Sequence, residues 1–100
     1  MNVNIQQAIL ASFLWSNDLN MNTKNAFILN PHFFTKDRYL IASKINEVTN
    51  TEDKFYGLLN LELENISSQE WLNISTQTPL PLSYARKLHD SQIDPRGGAV

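Results

Sequence analysis

The chain has 100 residues, of which 42% are hydrophobic and 18% are charged. This composition is typical of one folded domain and excludes a disordered tail, which would be poorer in apolar residues. The net charge of −2 is spread along the chain without a basic cluster, so we expect no strong direct binding of nucleic acid. Cysteine is absent, which excludes disulfides, thiolate metal sites and a cysteine nucleophile.

The N-terminal residues lack the basic segment that opens a signal peptide, and no apolar run reaches the length of a membrane span. With the absence of cysteine, this favours a cytoplasmic protein without membrane contact, although a chain without cysteine is also compatible with export. Residues 1–93 are expected to form one helical domain. Residues 94–100 are expected to be a flexible tail or linker, because a proline and two adjacent glycines there oppose helix formation.

Apolar residues recur at three- and four-residue steps, which predicts an all-α fold, a compact bundle of about six short helices. In the first helix, Ile5, Ile9 and Phe13 are expected to lie on one buried stripe. In the fourth helix, the expected buried stripe includes Leu58 and Leu63. The predicted helices cover residues 3–15, 23–29, 36–48, 49–64, 67–76 and 82–92.

Short polar side chains mark the expected helix starts. Thr35 is placed to cap the third helix. Thr49 with Glu52, and Ser67 with Glu70, have the spacing of a capping box, in which each side chain bonds the other residue's backbone N–H. These pairs predict the starts of the fourth and fifth helices.

Proline residues mark two joints between helices. Asn30-Pro31 ends the second predicted helix, since a proline disfavours helical geometry in the residue before it. A single turn then follows, in which we expect Phe33 and Phe34 to be split, with one ring inward and the other at least partly exposed. The segment from Thr78 to Pro81 predicts a rigid joint, with Pro81 suited to the first turn of the last helix.

The sequence shows no set of residues that could perform catalysis. A P-loop is missing, so nucleotide hydrolysis by this chain is not expected. The two histidines, His32 and His89, match no metal-ligand spacing; we interpret His32 as a joint residue and His89 as a solvated helix position. Ser67 lacks a base that would make it a nucleophile, so a capping role is the better interpretation. No cofactor, metal site or catalytic residue is predicted.

Large aromatic side chains are the best candidates for protein contacts. Trp15 ends the first helix near its apolar stripe and is expected to fill the core. Trp71, on a short peripheral helix, fits a core position and an interface position equally well, since tryptophan is enriched at interface hot spots.

Several short signatures, taken in order, resemble the N-terminal domain of DnaB-type replicative helicases. They cover about residues 3–93. Departures from the family's pattern include Ala11 in place of its glycine. The signatures are Gln7-Ala8-Ile9-Leu10, Leu29-Asn30-Pro31-His32-Phe33-Phe34, a helix with the pattern of Arg38 to Ile41, Trp71-Leu72, Thr78-Pro79 and Tyr84-Ala85.

The resemblance implies a non-catalytic helical head that docks primase and supports ring assembly in DNA replication, within the primosome. It also implies that the segment from Leu82 to Ile93 is the start of a helical hairpin, and that the chain is separated from its ATPase motor. The expected partners are a primase or a replicative helicase, with possible self-association. The expected protein-interface residues are Trp71, Leu72 and Tyr84, with Phe34 behind them.

Two alternatives stay open. The helicase-binding C-terminal domain of DnaG-type primases has a similar helical arrangement, and residues 5–45 fit it nearly as well. A stand-alone phage or plasmid protein that binds the host replicative helicase would also carry these signatures.

Overall fold

A computed structural model of the chain describes residues 2–16, 29–48 and 50–93. These residues form five α-helices and one short 3-10 helix, with no strand among them, so the all-α prediction is confirmed. Residues 23–28 of the second predicted helix, and the predicted tail, lie outside the described ranges. The helices are α1 (Asn2–Trp15), the 3-10 helix (Pro31–Phe33), α2 (Lys36–Glu47), α3 (Thr51–Glu64), α4 (Ser68–Ser75) and α5 (Leu82–Ile93).

Helix α1 lies at the centre of the bundle and contacts all four other α-helices. Ile9 and Phe13 of the predicted stripe are buried, but so is every other residue from Ile9 to Leu14, so burial extends around the helix beyond the predicted stripe. The physical reason is that α1 carries no charged side chain and that seven of its last eight residues, from Ala8 to Trp15, are apolar, and a helical segment that is apolar on most sides is stable when it is enclosed.

Helix α3 is rotated relative to its predicted orientation. Its core-facing side is centred on Lys54 and Leu58, both fully buried, whereas Leu63 is 75% exposed. The prediction that Leu63 is buried was therefore wrong. Leu58 and Leu63 are five residues apart, which is about 140° around a helix, so burial of the first turns the second outward. A periodicity analysis that treats lysine as a surface residue cannot find this orientation.

The two predicted joints are present. Asn30 caps the 3-10 helix by accepting a hydrogen bond from the His32 backbone N–H at 3.1 Å. Phe34 is buried and Phe33 is half-buried, as the split predicted. At the second joint, the Ser12 hydroxyl of α1 accepts a hydrogen bond from the Leu80 backbone N–H at 2.7 Å.

Two predicted helix caps need correction. Helix α3 begins at Thr51 and its cap is Asn50, whose side-chain oxygen accepts from the Asp53 N–H at 2.7 Å. The predicted cap Thr49 lies outside the described residues. Nδ2 of Asn50 also donates to Oδ2 of Asp53 at 2.6 Å. Thr35 occupies the predicted cap position of α2, but its side chain makes no capping hydrogen bond.

Gly57 marks a close approach of α2 to α3. A Cβ atom at this position would lie 2.9 Å from Cδ of Lys44. The neighbour is the aliphatic part of a lysine side chain, so the stem of Lys44 packs where α3 has no side chain.

Candidate protein-docking surface

The predicted interface residues divide between the core and the surface. Trp71 is 9% exposed and Phe34 is 5% exposed, and both belong to the hydrophobic core. Leu72 and Tyr84 are 52% and 51% exposed. The prediction named Trp71, Leu72 and Tyr84 as interface residues with Phe34 behind them, and of these four the structure leaves Leu72 and Tyr84 accessible. Binding by any of them stays a prediction.

The division follows from helix geometry. Consecutive residues point about 100° apart on an α-helix, so on a short peripheral helix that packs with one side Trp71 faces the core while Leu72 lies at the surface. The same relation holds in α5, where Ala85 is fully buried and Tyr84 is exposed. In both pairs one residue belongs to the core and the other is left at the surface.

Trp71 lies in a row of three aromatic rings that joins three helices. Its ring meets Phe55 of α3 edge-on, with ring centroids 5.4 Å apart. Phe55 in turn lies 5.3 Å from the ring of Trp15 in α1. The Trp15 Nε1–H donates to the Ser75 carbonyl at 3.2 Å, and this bond connects α1 directly to α4. Burial of Trp71 therefore stabilises the packing of α1, α3 and α4 together.

A partly buried polar cluster lies beside Trp71. The Glu70 carboxylate accepts from Nε and Nη2 of Arg38 at 2.9 and 3.2 Å, and from Nε2 of Gln7 at 3.3 Å. Arg38 also donates from Nη1 to Oε1 of Gln6 at 2.8 Å. Arg38 and Glu70 keep 9% and 18% side-chain exposure. The two-bond contact of a guanidinium with a carboxylate fixes α2 and α4 against the start of α1.

The predicted capping box at α4 is only half formed. The Ser67 hydroxyl accepts from the Glu70 N–H at 3.2 Å, as predicted. Glu70 does not return a bond, because its carboxylate is held by Arg38. Asp37 of α2 takes this role instead, and its Oδ2 accepts from the Ser67 N–H at 3.0 Å. The capping carboxylate thus comes from a different helix, which the local spacing cannot reveal.

His89 is buried, at 5% exposure, so its interpretation as a solvated position was wrong. Its Nε2 accepts from the Asn30 backbone N–H at 3.1 Å, and its Nδ1 lies 3.1 Å from Oδ1 of Asp90. The ring stacks on Phe34, with centroids 6.2 Å apart. His89 therefore holds the first joint against α5, a role that no sequence spacing indicated.

Lys54 is a buried cation that the sequence analysis did not single out. It is fully buried, and its Nζ donates to the carbonyl oxygens of Phe13 and Ser16. These carbonyls lie at the end of α1, where backbone acceptors lack helical partners and the helix dipole favours a cation. Burial lowers the pKa of Lys54 from 10.5 to about 8.

The lowered pKa predicts a specific pH dependence of stability. Because the pKa of Lys54 is lower in the folded chain than in the unfolded chain, the unfolded chain binds more protons between pH 8 and 10.5. Stability should therefore rise with pH in this window relative to a Lys54→Met variant, by at most about 1.4 kcal/mol per pH unit. Urea unfolding of both proteins at about pH 7 and pH 9.5 measures this difference. Parallel changes in the two proteins would show that folding does not lower the pKa of Lys54.

Neither a metal-binding set nor a membrane-spanning helix is found in the part of the chain that the structure describes. Its His, Asp and Glu side chains form no group of three or more that could hold a metal ion. None of its helices is long and apolar enough to cross a membrane. Every buried side-chain nitrogen or oxygen in this part has a hydrogen-bond partner, so its buried polar groups are accounted for by internal contacts.

Comparison with known proteins yields no match to a protein-family model, to a curated protein or to a solved structure.

Proposed function

We propose that the chain is a non-catalytic docking and assembly module of a replicative DNA helicase, acting in the cytoplasm as a helical head that receives primase. The proposal starts from the ordered signatures that resemble the DnaB-type head. Helix α5 has the place of the first part of the family's helical hairpin in this proposal. The activity of the module is to hold partner proteins, and the ATPase chemistry belongs to a separate motor.

The observation that carries the proposal is that the core takes only one of the two side chains in each of two signatures. Trp71-Leu72 and Tyr84-Ala85 each give one side chain to the core and leave a large one exposed. The exposed members, Leu72 and Tyr84, contribute little to folding and are accessible to a partner. Contact with a partner would bury leucine and tyrosine surface, which lowers the free energy of the complex.

The test is direct binding between the complete chain and each of two purified candidates. One is the helicase-binding domain of a DnaG-type primase, and the other is the head of a DnaB-type helicase. The helicase-side proposal expects primase binding that weakens about ten-fold or more in Leu72→Ser and Tyr84→Ser variants. Circular dichroism should show both variants folded, because both positions are exposed.

The other outcomes separate the alternatives. Binding to the helicase head but not to primase would favour the primase-side domain or a protein that captures the host helicase. Binding to neither candidate, with no self-association in sedimentation measurements, would refute the docking role. Primase binding that is unchanged in both variants would retain the function but place the contact elsewhere.

A further inference from the structure

The outer face of α3 combines exposed apolar side chains with charges of a single sign. Tyr56 and Leu63 are 61% and 75% exposed, the two largest values among the large hydrophobic residues described. They are seven residues apart, about two helical turns, and so lie on one side of the helix. The rotation of α3 that buries Lys54 leaves this side free of core contacts. We define the α3 outer face by Glu52, Asp53, Tyr56, Asn60, Leu63 and Glu64, all of which are exposed.

The charges of this face are all acidic. Glu52 and Asp53 lie at its start and Glu64 at its end. The only basic residue of α3 is Lys54, and its amine is buried against the end of α1. The neighbouring Lys44 of α2 pairs with Glu47 at 3.1 Å. Tyr56 and Leu63 therefore lie between acidic residues, and no cation of α3 is exposed beside them.

An open apolar groove adjoins the same face at its N-terminal end. Trp15, Phe55 and Tyr56 line it together with the first turn of α3, including Glu52. Trp15 and Phe55 are half-buried, so parts of both rings border the groove. The apolar surface thus extends from this groove past Tyr56 to Leu63.

We infer that the α3 outer face binds an amphipathic helix of a partner protein, in which apolar residues at two-turn spacing are flanked by lysine and arginine. The apolar side chains of such a helix would cover Tyr56 and Leu63, and its cations would complement Glu52 and Glu64. A second copy of this chain is a poorer occupant, because pairing two of these faces places acidic residues against acidic residues. The inference does not rest on primase docking, since it concerns a different helix from those of Leu72 and Tyr84.

The test uses two synthetic helical peptides with the same leucine positions. One carries lysine and arginine on its flanks, and the other carries glutamate at the same places. We expect the basic peptide to shift the backbone amide resonances of α3 and to bind more weakly at high salt. We expect the acidic peptide to bind at least about ten-fold more weakly.

Matched variants distinguish this face from non-specific attraction to an acidic protein. Leu63→Ser and Tyr56→Ser should each weaken the basic peptide about ten-fold. Leu72→Ser and Tyr84→Ser remove the same two residue types from exposed positions on other helices and should leave the affinity for the basic peptide unchanged. A Glu52→Lys/Glu64→Lys variant should reverse the preference between the two peptides. Equal binding of both peptides, or equal losses at Leu63 and Leu72, would overturn the inference.

Discussion

Replacing Trp71 with alanine should lower the free energy of unfolding by about 3–5 kcal/mol, the usual cost of deleting a large buried aromatic side chain. Trp71 is 9% exposed and its ring meets Phe55, which connects it to Trp15. Removing the ring leaves a cavity where three helices meet. Since a domain of this size loses several degrees of melting temperature for each kcal/mol, the transition should move down by more than about 12 °C.

The neighbouring residue provides a matched control. Leu72→Ala also introduces alanine in α4, one position further along. Because Leu72 is 52% exposed, its removal leaves no enclosed cavity. Its expected cost is within about 0.5 kcal/mol. Urea denaturation of both variants gives the comparison. Similar small losses in both would mean that the Trp71 ring is not packed in solution, and Trp71 would return as a candidate for partner contact.

The second large effect is expected at the ion pair of Arg38 with Glu70. Arg38→Met should cost about 3 kcal/mol, because it leaves a carboxylate that is only 18% exposed without its cation. The estimate is at the lower end for a broken buried pair, since Glu70 keeps some solvent and its bond from Gln7. Methionine retains most of the volume of the arginine stem, so the loss of unfolding free energy measures the effect of the missing charge rather than that of a cavity.

A double-mutant cycle checks this cause. Arg38→Met/Glu70→Met removes both charges and should be more stable than Arg38→Met alone, because no charge is left unpaired. Unfolding in urea at neutral pH, with thermal melts as a second measurement, gives all four corners of the cycle. Additive losses would show that the two side chains do not interact, contrary to the 2.9 Å contact.

Most helices could be predicted from the sequence, because apolar periodicity and helix-breaking residues are local signals. The predicted last helix, residues 82–92, differs by one residue from α5 (Leu82–Ile93). The proline joints were predicted equally well. Leu29 is anchored there by Asn46, which both donates to its carbonyl and accepts from its N–H, but the turn itself follows from Asn30-Pro31.

Three of the failures share one cause, which is a polar side chain whose partner is distant in sequence. Lys54 is buried because α1 ends above it, and Leu63 is exposed as a consequence. The Glu70 carboxylate binds Arg38 instead of completing the capping box, and His89 is buried because it accepts a hydrogen bond from the Asn30 N–H. The local sequence does not reveal these partners, so it assigns the wrong side of a helix to Leu63 and His89 and the wrong hydrogen bond to Glu70. The split of the proposed docking residues followed the same rule, because only tertiary packing decides which member of a neighbouring pair is enclosed.

The attachments of α1 have a consequence for how the chain acquires its structure. Lys54 is 41 residues from Phe13, Ser75 is 60 from Trp15, Glu70 is 63 from Gln7 and Leu80 is 68 from Ser12. Contacts between residues so far apart slow folding relative to bundles that pair adjacent helices. During translation α1 emerges from the ribosome before every helix that encloses it, so its apolar surface stays exposed until those helices have been synthesised. Of the helices described, α1 is therefore synthesised first, and its contacts can be complete only after α5 has been synthesised.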